Sequence, residues 1–147
     1  MITMKPIGTV RTTANRHAGE WGDVVSQIIL DESLTDGLLG LADFSHIVVI
    51  YHLDQAAFDP KSELIGHPRG LKDLPRVGVF ARRTPHRPNP IGITNVRLLE
   101  VKGNVLTVQG LDALDGSPVL DIKPYTRGYD AVEGARFAEW AERLGRG

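Results

Sequence analysis

The sequence predicts a mainly β fold, either a barrel or a sandwich, and three observations point to it. Seven short runs are rich in β-branched residues or alternate between apolar and polar side chains, as strands do. Turn-forming residues separate several of these runs. The 147 residues are enough for one self-sufficient core, so we expect a single domain spanning residues 1–147.

The predicted strands follow one another at short intervals. They cover residues 7–12, 24–30, 46–53, 77–80, 93–101, 105–111 and 119–122. Lys102-Gly103-Asn104 separates two of them by a hairpin-length turn, and Asp115-Gly116 supplies residues that tolerate positive φ in another turn. Much of the pairing should therefore be antiparallel. Residues 57–74 are polar, contain two prolines and are expected to form a long irregular loop.

Two helices are predicted. One lies within residues 34–43, where Ser33 and Asp36 have a spacing similar to a capping box. The other covers about residues 134–144 and has an apolar face with helical spacing. That face consists of Phe137, Trp140, Ala141 and Leu144. We expect Trp140 to lie in the core or at a dimer contact rather than to stack on a base.

Composition and motif searches exclude several classes of function. The chain has no cysteine, which rules out disulfides, a thiolate nucleophile and thiolate zinc sites. It has no apolar run long enough to cross a bilayer, so we expect a soluble cytoplasmic protein. A Rossmann Gly-x-Gly-x-x-Gly fingerprint and a nucleophile elbow are both missing. His46 and His52 share a strand face about 20 Å apart and cannot bind one metal ion, so no metal site is expected.

The charges are unevenly distributed although the net charge is only −1. Residues 67–87 contain six basic side chains and one acidic one, Asp73. The basic residues are Arg69, Lys72, Arg76, Arg82, Arg83 and Arg87. Such a stretch is typical of a phosphate-binding surface, and the alternative is a solvated face without a partner.

The most informative segment is residues 78–92. It reads Gly-Val-Phe-Ala-Arg-Arg-Thr-Pro-His-Arg-Pro-Asn-Pro-Ile-Gly. The prolines fix the backbone, so the loop has little freedom left to lose on binding. Its arginines offer planar sets of donors that suit a carboxylate or a phosphate. The alternative is a proline-rich connection whose arginines are solvated.

This segment closely resembles the signature of the YaeB-like (TsaA-like, TrmO) family, and the resemblance covers most of the chain. Further matching segments are Lys5-Pro6-Ile7-Gly8, Asp43-Phe44-Ser45-His46 and the run from Gly110 to Tyr125. The resemblance implies an S-adenosylmethionine-dependent tRNA methyltransferase that modifies threonylcarbamoyladenosine beside the anticodon. It also implies a closed β-barrel of about six to seven strands, antiparallel or mixed, with a short helix and a C-terminal helix, assembled as a homodimer.

The resemblance assigns roles to individual residues. The implied cofactor-binding residues are His52, Leu53, Arg83, Ile93, Asp115, Gly116, Ser117 and Pro118. The residues expected to contact RNA or the substrate are Arg69, Arg76, Arg82, Arg87, Asn89, Lys123 and Tyr125. Asp115 is the candidate general base, since the acceptor N–H lies between a carbonyl and a purine and is acidified. The alternative is that Asp115 only forms a turn while Asp121 pairs with Lys123.

The sequence departs from the family pattern in two places. Relatives commonly carry Pro-Arg-Gln after the first strand, where residues 12–22 of this chain have no such tripeptide. The chain also stops soon after Trp140, without the additional C-terminal domain of longer members. Two alternatives therefore stay open, a small-molecule methyltransferase and a non-catalytic S-adenosylmethionine-binding module. We expect an active site shared across a dimer interface, with the tRNA anticodon arm as partner.

Overall fold

The computed structural model describes residues 1–13 and 21–144. The departure from the family pattern within residues 14–20 lies outside the described residues. The chain divides into two compact units, one made of residues 1–55 and 91–125 and the other of residues 56–90 and 126–147. The prediction of a single domain stays a prediction.

Eight strands occur in the described residues. In chain order they are β1 Gly8–Arg11, β2 Val25–Leu30, β3 His46–His52, β4 Ile65–Gly66, β5 Val77–Gly78, β6 Ile91–Lys102, β7 Val105–Gln109 and β8 Pro118–Pro124. Six of them close into a barrel in the order β1-β2-β7-β6-β3-β8, and every pair is antiparallel. The predicted closed barrel is therefore confirmed, with six strands.

The barrel closes around side chains that point inward from alternate positions. On β3 the inward residues are Ile47, Val49 and Tyr51, all almost completely buried. They pack with fully buried residues of the other strands, among them Ile28, Leu106 and Val119. Burial of each such aliphatic side chain contributes about 1.5–3 kcal/mol. This alternation of inward-pointing residues explains why the strands were predictable from the sequence, although Val48, on the other face of β3, is also buried at 4% exposed.

Two predicted turns are present in the barrel. Gly103 and Asn104 connect β6 to β7, and Gly103 has a φ of 59°, in the left-handed region that favours glycine. Asn104 also donates from Nδ2 to the carbonyl oxygen of Leu30 at 2.7 Å, which ties the hairpin to the end of β2. Gly116 has a φ of 84° in the turn before β8.

The first predicted helix differs from the structure in type. Residues Glu32–Leu38 and Leu41–Asp43 form two 3-10 helices, separated at Gly40, whose φ is 87°. The capping residue is Asp31 rather than Ser33, because its carboxylate accepts hydrogen bonds from the Ser33 hydroxyl and backbone N–H. Both hydrogen bonds lower the pKa of the Asp31 carboxyl below its usual range, and the bond from the Ser33 hydroxyl has the larger effect.

The C-terminal helix is shorter than predicted. In the second unit, α1 spans Pro60–Glu63, α2 spans Arg127–Asp130 and α3 covers only Glu139–Arg143. Gly134 has a φ of 76° and Ala138 is extended, so the helix begins after Phe137, which is exposed. Trp140 is partly buried and Ala141 is buried. The predicted apolar face therefore exists only from Trp140 onward.

The second unit also holds the segment between β3 and β6. The predicted loop at 57–74 contains α1 and β4, and β4 pairs with β5. The strand predicted at 77–80 is limited to β5, because the partner strand β4 has only two residues. A 3-10 turn, Val79–Ala81, follows it. Among the described residues no helix has the length and apolar character needed to span a membrane.

Candidate functional site

The predicted cofactor residues of the barrel gather at one end of it. His52 is the last residue of β3 and pairs with Ile91, the first residue of β6. Pro118 begins β8 and pairs with Thr9 of β1, while Val119 pairs with Tyr51. The end of β3, the start of β6 and the start of β8 therefore meet at one edge, which we call the β3/β8 end.

The Asp-Gly turn at this end is hydrogen-bonded to β1. The Asp115 Oδ1 atom accepts from the backbone N–H of Thr12 at 3.0 Å, and the Gly116 N–H donates to the carbonyl of Val10 at 2.8 Å. The buried Ser117 hydroxyl donates to the Leu114 carbonyl at 2.7 Å. The Asp115 carboxylate thus does shape a turn, and it is exposed at the surface. Within the described part of the chain no protein hydrogen bond reaches its other oxygen, Oδ2.

The other candidate residues at the β3/β8 end provide apolar surface and one imidazole. His52 and Leu53 are partly buried, and Ile93 points outward with 49% of its surface exposed. This end thus offers a carboxylate, an imidazole and aliphatic side chains beside an exposed glycine turn. Such groups suit a ligand that combines a cationic group with a nucleoside. This donor set fits S-adenosylmethionine.

Gly92 supports this end from inside the barrel. A Cβ atom there would lie 2.6 Å from two ring atoms of Tyr51, so only glycine leaves room for the ring. The Tyr51 hydroxyl lies 2.9 Å from Thr94 Oγ1 and donates to the carbonyl of Asp112. No local pattern in the sequence marks Gly92 and Tyr51 as a pair; strand alternation only places Tyr51 on the face opposite His46 and His52.

Lys123 and Tyr125 do not join this constellation. Lys123 pairs with Val48 near the start of β3, at the far end of β8 from Pro118, about 17 Å along the strand. There its ammonium lies 3.0 Å from the Asp121 carboxylate, and both groups are about half exposed. The Tyr125 ring packs edge-on against His46, with 6.3 Å between centroids. The alternative interpretation of Asp115 as a turn residue included an ion pair between Asp121 and Lys123, and that ion pair is present.

The opposite end of the barrel carries an apolar groove of about 600 Å³. Its wall includes Ile7, Leu30, Leu34, Leu39, Phe44 and Ile122. None of the predicted cofactor residues lines it. His46 and His52 both point outward from β3 at different ends, as the alternation predicted. The described residues contain no cluster of three His, Cys, Asp or Glu side chains that is able to hold a metal ion.

The arginine-rich loop belongs to the second unit, and two of its arginines support its backbone. Arg82 donates from Nη2 to the Glu63 carbonyl at 2.8 Å. Arg87 donates from Nη1 to the carbonyls of Arg82 and Thr84 at 2.8 and 3.1 Å. The loop is held further by His86, whose Nδ1 lies 2.8 Å from the Ala57 carbonyl. Both guanidinium groups therefore have structural roles that composition did not indicate.

The remaining cations of the segment are exposed. Arg69, Lys72, Arg76 and Arg83 have exposed side chains, and so does Asn89. Arg69 is the one described non-glycine residue with positive φ, at 53°, in a turn closed by a 2.7 Å contact between His67 Nδ1 and the Leu74 carbonyl. A left-handed arginine is a strained conformation that the turn imposes on it.

The two units differ in net charge. Residues 56–90 and 126–147 contain eleven basic and seven acidic residues, a net charge of +4. The barrel unit contains six basic and eleven acidic residues, a net charge of −5. The overall charge of −1 therefore hides a cationic second unit suited to an anionic partner.

Comparisons with known proteins agree along most of the chain. The family model described as the tRNA-methyltransferase O N-terminal domain matches residues 10–131. A probable S-adenosyl-L-methionine-binding protein of Archaeoglobus fulgidus is 39% identical over 97% of this chain. A tRNA (adenine(37)-N6)-methyltransferase of Mus musculus is 40% identical over 65% of it. The crystal structure of TrmO from P. aeruginosa superimposes with a TM-score of 0.76 and 31% identity over 95% of it. The chain spans 38%, 22% and 62% of these proteins, respectively.

Proposed function

The chain belongs to the tRNA-methyltransferase O N-terminal domain family, and from that premise we propose that it methylates tRNA with S-adenosylmethionine as the methyl donor. The observation that carries this proposal is the joint agreement of fold and sequence with a TrmO structure over 95% of the chain. The acceptor we propose is the N6 nitrogen of threonylcarbamoyladenosine beside the anticodon. The name of the mouse relative, which specifies adenine N6 at position 37, supports that acceptor.

We assign cofactor binding to the β3/β8 end. When bound, the cofactor supplies an electrophilic methyl group on a sulfonium. His52, Leu53 and Ile93 would enclose it, while the turn from Asp115 to Pro118 offers a carboxylate for a ribose hydroxyl or the α-ammonium. Arg83 belongs to the second unit, and its proposed contact with the cofactor rests on the family resemblance alone. Methyl transfer needs chiefly in-line positioning and exclusion of water, which a rigid barrel end with braced turns favours.

Asp115 is also the proposed base. Methyl transfer to N6 would require the N6 proton to leave, and the exposed Asp115 carboxylate would accept that proton through Oδ2. The hydrogen bond from Thr12 N–H fixes the orientation of the carboxylate through Oδ1. Asp115→Asn keeps the turn geometry but removes the negative charge, so it is expected to reduce both cofactor affinity and methyl transfer. The loss of methyl transfer measured at saturating cofactor reports the role of Asp115 as base.

The second unit is the proposed RNA-binding surface. We assign phosphate contacts to its exposed cations Arg69 and Arg76, while Arg82 and Arg87 act mainly by holding the loop in shape. Asn89 is exposed next to them in the loop sequence. Lys123 and Tyr125 lie at the other end of the barrel from the proposed cofactor site, and we keep them as proposed contacts to RNA or substrate.

We further propose a homodimer that acts in the cytoplasm, where its tRNA substrate is modified, with an active site composed from two protomers. The test is to mix the inactive variants Arg83→Ala and Asp115→Ala and allow their subunits to exchange. If the two residues serve one site from different chains, heterodimers regain up to about half of the wild-type activity, since one of two sites is intact. No recovery after exchange verified by native mass spectrometry would refute the composite site.

The activity is tested by mass spectrometry of tRNA nucleosides from cells that lack the protein. We expect methylated threonylcarbamoyladenosine to disappear and the unmethylated form to accumulate, and purified protein with S-adenosylmethionine to restore the methyl group. An unchanged nucleoside profile, together with no transfer in vitro, would contradict the proposal.

A second candidate is a non-catalytic S-adenosylmethionine-binding module. The name of the A. fulgidus relative, which specifies binding alone, favours it. Such a module binds the cofactor in calorimetry yet releases no S-adenosylhomocysteine with any tRNA. Product formation with tRNA from the deletion strain therefore separates the two candidates.

A further inference from the structure

Phe80 is an exposed aromatic residue that the fold does not use. It occupies the middle of the 3-10 turn Val79–Ala81, and 78% of its surface is exposed. Its neighbour Val79 is 1% exposed, so that side chain fixes the turn to the interior while the phenyl ring points to solvent. Single exposed apolar residues are common on protein surfaces, but this ring contributes nothing to the core and is available to contact a partner.

The turn that presents Phe80 is preformed. The Val79 N–H donates to the Leu64 carbonyl at 2.8 Å, and the Arg82 N–H donates to the Val79 carbonyl at 3.2 Å. The Arg82 guanidinium adds its bond to Glu63 on the other side of the turn. The backbone around the ring is therefore fixed before any partner arrives, and binding restricts only the two side-chain torsions of Phe80.

The surroundings of the ring select the kind of partner. Phe80 belongs to the unit with net charge +4, and Arg83, three residues later, is exposed. Exposed aromatic rings set among cations are typical of surfaces that bind unpaired nucleotides, because bases stack on the ring while cations meet the phosphates. A hydrophobic protein partner would instead favour a wider apolar patch with few charges.

We infer that Phe80 is a stacking platform for an unpaired base of the RNA substrate. The inference rests on the proposed function and adds a specific contact to it. A stacked base requires a nucleotide that lies outside a double helix, as in a loop. Phe80 thus discriminates single-stranded from duplex RNA, which phosphate contacts alone cannot do.

The test uses the full chain and a fluorescein-labelled anticodon stem-loop RNA. Phe80→Ala should weaken binding about 5- to 150-fold, the range measured for one stacked base. Phe80→Leu keeps an apolar side chain without a π face and should be almost as weak, whereas Phe80→Tyr should bind within about threefold of wild type. The Ala variant should bind a blunt duplex RNA as wild type does.

Three further measurements make the test specific. The slope of log affinity for RNA against log salt should be the same in Phe80→Ala as in wild type, because a stacked base releases no counterions. The affinity for S-adenosylmethionine should not change. The matched control Tyr129→Ala, which removes an aromatic side chain 92% exposed in the same unit, should bind the stem-loop normally.

Several outcomes would overturn the inference. Two of them concern Phe80 itself: wild-type affinity of Phe80→Ala for the stem-loop, or wild-type affinity of Phe80→Leu for it. The others are an equal loss of stem-loop affinity in Tyr129→Ala, or a loss of S-adenosylmethionine affinity in Phe80→Ala that matches its loss of RNA affinity. Each leaves the proposed tRNA methylation intact, provided that wild-type protein binds and methylates the RNA. Failure of the wild-type protein to bind any RNA refutes the proposed function instead, and the inference with it.

Discussion

Replacement of Gly92 by alanine tests whether the β3/β8 end depends on one close contact inside the barrel. The new Cβ atom would lie 2.6 Å from Cε2 and Cζ of Tyr51, where an ordinary contact begins near 3.4 Å. The ring must therefore move by about 0.8 Å. Tyr51 is 3% exposed and its hydroxyl interacts with Thr94 and Asp112, so the ring has no open space to move into.

The cost follows from these contacts. Overpacking of a dense core costs about 1–3 kcal/mol, and weakening a buried hydrogen bond adds about 0.5–1.5 kcal/mol. We therefore expect Gly92→Ala to lower the free energy of unfolding by about 2–4 kcal/mol. For a chain of this length that corresponds to a fall in Tm of roughly 10 °C.

The assay is urea denaturation followed by circular dichroism, with Gly37→Ala as the matched control. A Cβ atom at Gly37 meets nothing within 4 Å and its φ is not positive, so that variant should stay within about 1 kcal/mol of wild type. Adding Tyr51→Phe, which releases the ring from its hydrogen bonds, should make the double variant less unstable than the sum of the singles. Equal midpoints for Gly92→Ala and Gly37→Ala would refute the reasoning.

Three further predictions concern the interior, the RNA surface and metals. Ser26 is 2% exposed, and its hydroxyl has no hydrogen-bond partner among residues 1–13 and 21–144, so Ser26→Ala should raise the free energy of unfolding by about 1 kcal/mol in the same urea assay. A loss of similar size would contradict this. Arg69→Glu with Arg76→Glu should lower the slope of log affinity for RNA against log salt by about 1.5, whereas Lys5→Glu with Lys102→Glu in the barrel should leave it unchanged. S-adenosylmethionine should bind equally well with and without a chelator in calorimetry, and binding restored only by a divalent ion would count against the proposed site.

The strands were predictable because each barrel strand has one face in the core. On β7 fully buried residues alternate with partly buried ones. On β3 the inward residues Ile47, Val49 and Tyr51 occupy alternate positions, which the sequence shows directly, although Val48 between them is also buried. The helices were less predictable since tertiary contacts decide where short segments end. Gly40 and Gly134 take left-handed conformations that interrupt the expected helices. The helical spacing of apolar residues gives no indication of these interruptions.

The site was predictable in its turn chemistry and not in its placement. Asp115-Gly116 carries the signature of a turn, and the structure has one there. Which end of the barrel Lys123 reaches depends on the register between β3 and β8, a long-range property absent from any local pattern. Likewise, composition counted Arg82 among the available cations, although its guanidinium is bonded to backbone carbonyls.

The closure of the barrel has a consequence for how the protein matures. β1 meets β8 through pairs such as Gly8 with Val119, and Thr12 bonds to Asp115 although they are 103 residues apart in sequence. Contacts between such distant segments form late, after the loop-closure entropy has been overcome. The Asp-Gly turn therefore reaches its final shape only when the two ends of the barrel chain have met. At the proposed cofactor site, cofactor binding would then report complete folding, and a nascent or truncated chain that lacks β8 is expected not to bind the cofactor.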